Sequence, residues 1–197
     1  LSLALGLDHD VGSFRGPMSV SVLIAGRTNT FNLTPDPVPT GNLWATFDHD
    51  FVAASASTLI TLTGTAARGG AYLGLDDVSL TVKDTTQNLL INGSFENPQN
   101  SFAPDGNGIH SLAPNATILP GWTTVGAELA WVSNQNAYGA QAADGSFSLN
   151  LTGYHDSPPY GGVSQRVATT PGQAYRLSFA LGSNQDSGAR SEEHTSE

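Results

Sequence analysis

The chain has 197 residues, enough for one domain or two small ones with a substantial core, and its 17 acids against seven Lys and Arg give a formal charge of −10. With one Lys and a pI near 4.6, no basic patch can be assembled, which argues against a nucleic-acid partner. There is no cysteine for a disulfide or thiol chemistry, and no apolar run approaches the roughly 18 residues of a membrane span.

Twenty-two Gly, eleven Pro and many Thr, Ser and Asn favour short strands joined by turns, and no apolar stripe of helical period runs for a helical length. In chain order, Leu1, Leu3 and Leu5 alternate with small residues as in a half-buried strand. Ser19–Ile24 is a strand, Ala25-Gly26-Arg27 a turn and Asn29–Leu33 its hairpin partner. Three Pro make Thr34–Leu43 a loop. Trp44–Val52, Thr58–Thr63 and Ala71–Val82 are further strands, followed by a polar joint at Lys83–Gln87. Asn88–Glu96 (NLLINGSFE) opens the second half, and a loop rich in Asn, Pro and Gly runs from it to about Pro120. Strands follow at Glu128–Ser133, Ser146–Leu151, Gly162–Ala168 and Ala174–Gly182. This spacing predicts an all-β sandwich.

The chain also repeats itself. Leu1–Asp10 (LSLALGLDHD) and Leu177–Asp186 (LSFALGSNQD) agree at six of ten positions without gaps, at an offset of 176 residues. Residues 1–87 therefore read as the C-terminal half of one β-sandwich repeat, and 88–189 as the N-terminal half of the next. The octapeptide 190–197 (RSEEHTSE) resembles the translation of a sequencing-adapter oligonucleotide and is expected to be a non-native or disordered tail.

NLLINGSFE (88–96), PGWT (120–123), GGVSQ (161–165), TTPGQAYRLSFALG (169–182) and GLDDVSL (74–80) resemble the domain-of-unknown-function 642 family, and are similar to carbohydrate-binding modules. The resemblance implies a jelly-roll β-sandwich of galactose-binding-like fold. It implies a non-catalytic extracellular or cell-surface module whose partners are cell-wall or matrix polysaccharide and neighbouring copies of the same domain. Because first and last strands of such folds lie together, 1–189 could close as one composite, circularly permuted sandwich in which Leu1–Leu5 and Leu177–Leu181 compete for one slot. The rival is two incomplete halves with open sheet edges. In related modules the glutamate matching Glu96 and an aspartate matching Asp76 or Asp77 bind a structural calcium; the alternative is that these carboxylates cap backbone amides. Alternation puts Asp76 on the core face with Val78 and Leu80.

Sugar rings stack on exposed aromatics while amides and carboxylates read their hydroxyls. The ligand loop expected here is Tyr154-His155-Asp156 with Tyr160, joined by Tyr138 and Asn136 beside Asn134 and Gln135. Trp122 and Trp131 read as core. Asp8-His9-Asp10 and Asp48-His49-Asp50 lack a two-His ligand spacing and read as solvated surface. Asn32, Asn92, Asn115 and Asn150 head Asn-x-Ser/Thr sequences. No nucleophile elbow, zinc motif or phosphate loop is present, and no obvious carboxylate pair spans a cleft. The leading expectation is a carbohydrate-binding or wall-associated module. The alternatives are a structural or adhesion repeat that binds protein, and an accessory domain of a polysaccharide-active enzyme.

Overall fold

The computed structural model describes residues 18–33, 42–65, 72–154 and 158–184. Leu1–Asp10, the tail and the ligand-loop residues His155 and Asp156 lie outside them. The described residues form eleven strands: β1 (Met18–Ile24), β2 (Arg27–Leu33), β3 (Asn42–Val52), β4 (Ser57–Gly64), β5 (Gly74–Val82), β6 (Ile109–Leu112), β7 (Thr123–Gly126), β8 (Leu129–Ser133), β9 (Phe147–Asn150), β10 (Gly161–Ala168) and β11 (Ala174–Asn184). They pair antiparallel into a five-stranded sheet, β2-β1-β4-β10-β7, and a six-stranded sheet, β3-β11-β5-β9-β8-β6. The protein is an all-β sandwich.

Each sheet draws strands from both sides of the joint at 83–87. β10 lies against β4, and β11 lies between β3 and β5. The slot between β3 and β5 is thus filled by the second copy of the repeated decapeptide. β1 starts and β11 ends at the same end of the sandwich, because β1 runs antiparallel to β4 and β11 antiparallel to β5.

Period-two alternation builds the core. Val20, Val22, Ile24, Ile60, Leu62 and Val163 point inward from one sheet and meet Leu75, Leu80, Leu177, Phe179 and Leu181 from the other. Each is almost fully buried and contributes about 1.5–3 kcal/mol. Phe31 closes one side, packed edge-on to Phe179 at 5.2 Å and Phe47 at 5.9 Å. Trp122 and Trp131 are buried as the sequence leads one to expect.

Residues 88–96 are not a strand. They form a clasp that crosses from one sheet to the other. Asn88 Oδ1 accepts the Leu80 and Leu90 amides at 2.9 and 3.0 Å, and Gln165 pairs both main-chain groups of Ile91 at 2.7 and 2.9 Å. The Val78 amide donates to Gly93 O at 3.0 Å, and Trp122 Nε1 donates to Asn92 O at 2.9 Å. The chain turns within the clasp at Asn92 and Phe95, both at positive φ. β6 falls inside the stretch expected to be loop, and β7 follows Trp122 directly; at four residues each, neither shows enough alternation to be read.

Gly93 permits the clasp, since a Cβ there would meet Val78 O at 1.9 Å, and backbone cannot yield. Gly93→Ala is expected to lower unfolding free energy by about 2–3 kcal/mol or more in a urea titration, against less than about 1 kcal/mol for Gly106→Ala, where nothing lies within 4 Å.

Candidate functional site on the outer face of the six-stranded sheet

Register places Trp44, Gly182, Gly74, Asn150, Ala130 and Ser111 in one row across the six-stranded sheet. Small residues make this floor low. The Trp44 indole lies over the two glycines, where a Cβ on Gly182 or Gly74 would come within 2.5 or 2.7 Å of the ring, and its Nε1 donates to Gln141 O at 3.0 Å. Ile109, Ala130, Val132 and Ala140 make a small apolar cluster on this face, with Tyr72 packed against it.

One step along from Gly74 stands Asp76, opposite Ala180. The expectation that Asp76 shares the face of Val78 and Leu80 is wrong. A β-bulge intervenes: the register shifts between Ser178 and Ala180, and Asp77 takes a φ of 45°. The extra residue restarts the alternation, so Leu75, Val78 and Leu80 face the core while Asp76 faces outward beneath the loop that joins β8 to β9. There it is completely buried. Its Oδ2 accepts the amides of Ala143 and Asp144 at 2.8 and 3.0 Å, and its Oδ1 accepts that of Asp77 at 2.6 Å. Glu96 Oε1 takes the amides of Ser146 and Phe147, one residue further on, at 2.8 and 2.6 Å. Gly145 is needed between them, at a φ of 65° and with the Glu96 carboxyl where a side chain would begin. Both carboxylates cap backbone amides of one loop, those of 143 and 144 by Asp76 and those of 146 and 147 by Glu96. Asp77 is exposed and joins them only through the bulge.

Burial pushes the Asp76 carboxyl up to about 7, aided by the charge of Glu96 and opposed by the three amides. Asp77, exposed as a residue, has a partly covered carboxyl that is raised too, by that loss of solvent and then by Asp144.

The ligand-loop residues separate. Tyr154 and Tyr138 expose 38% and 39% of their surface. The Tyr154 hydroxyl donates to Asp105 Oδ2, and Asp105 also accepts the amides of Asn107 and Ile109 at 2.8 and 3.2 Å. Burial, then the Asp105 contact, pushes the Tyr154 phenol up to about 12, and Tyr138 stands near enough to add to the shift. Asp105 is held below the usual carboxylate range, chiefly by the Tyr154 hydroxyl. Tyr160 does not join them: it packs against the core, its hydroxyl is buried, and its Cβ would press on any side chain at Gly64. Asn136 is buried, and its amide shapes the loop around it. Nδ2 donates to the carbonyls of Ser133 and Ala140, both at 2.6 Å, and Oδ1 accepts the amides of Tyr138 and Ala140 at 2.9 and 3.1 Å. Asp105 escaped the sequence reading. Its only signal is the Asp-Gly-Asn turn at 105–107, which marks a loop without saying what the loop faces.

Asp48 and Asp50 do lie on the outer face, each opposite its partner in register. Asp48 accepts the Ser178 hydroxyl at 2.5 Å, and Asp50 takes Arg176 through both oxygens at 2.7 and 3.0 Å.

The Asp76 shift has a definite sign. Folded Asp76 keeps its proton to about pH 7, whereas the unfolded chain releases it near 3.8. Stability from this group is therefore present below pH 4, falls as pH rises between about 4 and 7, and levels off above that. Comparing urea midpoints of the wild type and Asp76→Asn from pH 5 to 8, the wild type is expected to lose stability over the lower part of the range while the variant stays flat.

The profile of the family described as "Protein of unknown function (DUF642)" matches residues 88–195. Halomucin from Haloquadratum walsbyi (strain DSM 16790 / HBSQ001) is 33% identical over 112 residues, covering 56% of this chain but 1% of that protein, so the chain spans a very small part of the relative it matches. No solved structure matches the chain. The match takes in the clasp, the Trp122 turn and β6–β11, more than half of the sequence. By that match the chain belongs to the DUF642 family.

Proposed function

We propose that this domain is a non-catalytic extracellular module that holds wall or matrix polysaccharide on the outer face of its six-stranded sheet. The observation that carries the reading is the pair of exposed rings, Tyr154 and Tyr138, beside the Asp105 carboxylate. Two phenol rings give the apolar face of a sugar a surface to stack on, and Asp105, already holding the Tyr154 hydroxyl and the Asn107 side chain, fixes how Tyr154 and Asn107 are presented to its hydroxyls. The half-buried Trp44 lies farther along the same floor. Family membership and the likeness to a stretch of a protein named for mucins support an extracellular setting. A jelly-roll fold of galactose-binding type, joined from two successive repeats, belongs to the same reading and accounts for strands of both halves sharing each sheet.

Calcium is part of the proposal as a stabiliser. Asp76 and Glu96 would hold it, since a carboxylate raised by burial, and further by its acidic neighbour, is relieved by a hard cation. Calcium at about millimolar concentration is expected to raise the melting temperature by several degrees in wild type and not in Asp76→Asn. Equal melting with calcium and with chelator would remove the ion from the account.

The binding test is co-sedimentation with a panel of insoluble polysaccharides. Tyr154→Ala and Tyr138→Ala are each expected to weaken saturable binding about tenfold while leaving the melting temperature within a few degrees, as loss of stacked area implies. A folded wild type that sediments with none of them would overturn the carbohydrate reading in favour of an adhesion or spacer module whose partner is protein.

A further inference from the structure

The end of the sandwich opposite the Tyr154 loop holds a cleft that takes no part in that site. It opens between the edge strands β2 and β3, beside the Ala25-Gly26 turn, with a volume of about 520 Å³. Strand period explains its lining. Along β2 the inward side that buries Phe31 also brings in Asn29 and, at the open end, Arg27. Along β3 His49 lies between Phe47 and Phe51, which both pack on the core. A guanidinium, an amide and an imidazole therefore converge above a wall made by Phe51, Val52 and Ala25. Asn29 Nδ2 and His49 Nε2 are 3.3 Å apart.

Two features set the cleft apart from ordinary surface. Val52 is 59% exposed, more than most large apolar side chains of the described residues. Ala25 sits at a φ of 50°, where a non-glycine residue costs about 1–2 kcal/mol and Asn or Gly would be the easier choice. The rim thus carries a methyl group at a backbone position that disfavours one.

The charges are also uneven. Asp50, on the cleft's border, is already bound by Arg176 at 2.7 Å and by Lys83 at 2.9 Å, and these two cations hold its carboxyl far below the usual range. Arg27 has no carboxylate partner among the described residues, in a chain of net charge −10. A guanidinium is a bidentate receptor for a carboxylate. An apolar wall takes a C–H face, and an amide with an imidazole reads hydroxyls. A neutral sugar would leave Arg27 unused, and a bare inorganic anion would leave Phe51 and Val52 unused.

We infer that this cleft is a second binding site, which takes a uronate, a sugar unit bearing a carboxylate, with Arg27 on the carboxylate, Phe51 and Val52 against the ring, and Asn29 and His49 on its hydroxyls. The inference does not depend on the Tyr154 site, which lies at the other end of the sandwich.

The test is an amide chemical-shift titration of the isotope-labelled chain with a β-1,4-linked glucuronate trimer and with the matching glucose trimer, which differ only in carboxylate against hydroxymethyl. The acidic trimer is expected to shift Ala25 to Asn29 and His49 to Val52, to bind about tenfold tighter than the neutral one, and to weaken as salt rises from about 50 to 500 mM. Arg27→Ala, an exposed position outside the core, should bring the acidic trimer down to the neutral one's affinity, and Arg27→Lys should keep part of the preference. Equal affinity for the two trimers, shifts confined to the Tyr138 and Tyr154 loops, or no shifts from either would overturn the inference. The second of those outcomes would leave the outer-face site standing.

Discussion

The pairing of β10 with β4 and of β11 with β3 and β5 is the constraint on which everything else rests. β4 and β5 are neighbours in sequence but belong to different sheets, so nothing in the first half closes either sheet on itself. Each exposes an unpaired edge until a strand from beyond the joint arrives, and an exposed edge is a liability in water. The contacts that complete the sandwich therefore close long loops, which makes the domain dependent on non-local pairing and its assembly slow relative to a local fold. The clasp at 88–96 is where the halves are fastened. Asn88 ties it to β5 and Gln165 ties it to β10, so one segment spans both sheets with side-chain amides in place of a strand ladder.

The outer face follows from that frame. Because the β3–β11–β5 rows carry Trp44 over glycine, and the β9–β8 rows carry Asn150 and Ala130, loops can lie directly on the sheet. The bulge at Asp77 supplies what they lie on. By restarting the alternation it turns a carboxylate out of the sandwich and under the β8–β9 loop, where Asp76 and Glu96 together gather four of the five amides of residues 143–147. The shape of the loop that carries Tyr138 is thus set from below by acids and from within by Asn136.

Most of the architecture was legible, because it rests on alternation. The strands at 19–24, 58–63 and 174–182 have inward sets of Val, Ile, Leu and Phe, and the structure extends each by a residue or two. Four things were not legible. The NLLINGSFE segment is apolar enough to read as a strand, yet its hydrogen bonds go to Asn88, Gln165 and Gly93, partners identified only once the fold exists. A bulge formed on an Asp rather than a Gly leaves no mark in the sequence, so plain alternation puts Asp76 on the wrong face. Tyr154 and Tyr160 share a loop and a residue type, and only the packing of Tyr160 against the core separates them. Asp105 was missed because its partner, Tyr154, is 49 residues away.

The strand directions have a consequence for how such a module sits in a longer chain. The polypeptide enters β1 and leaves β11 at one end of the sandwich, the end that also carries the β4–β5 and β9–β10 connections. Whatever is joined ahead of β1 and whatever is joined after β11 would thus meet the sandwich at one pole, with the Ala25-Gly26 turn at the other.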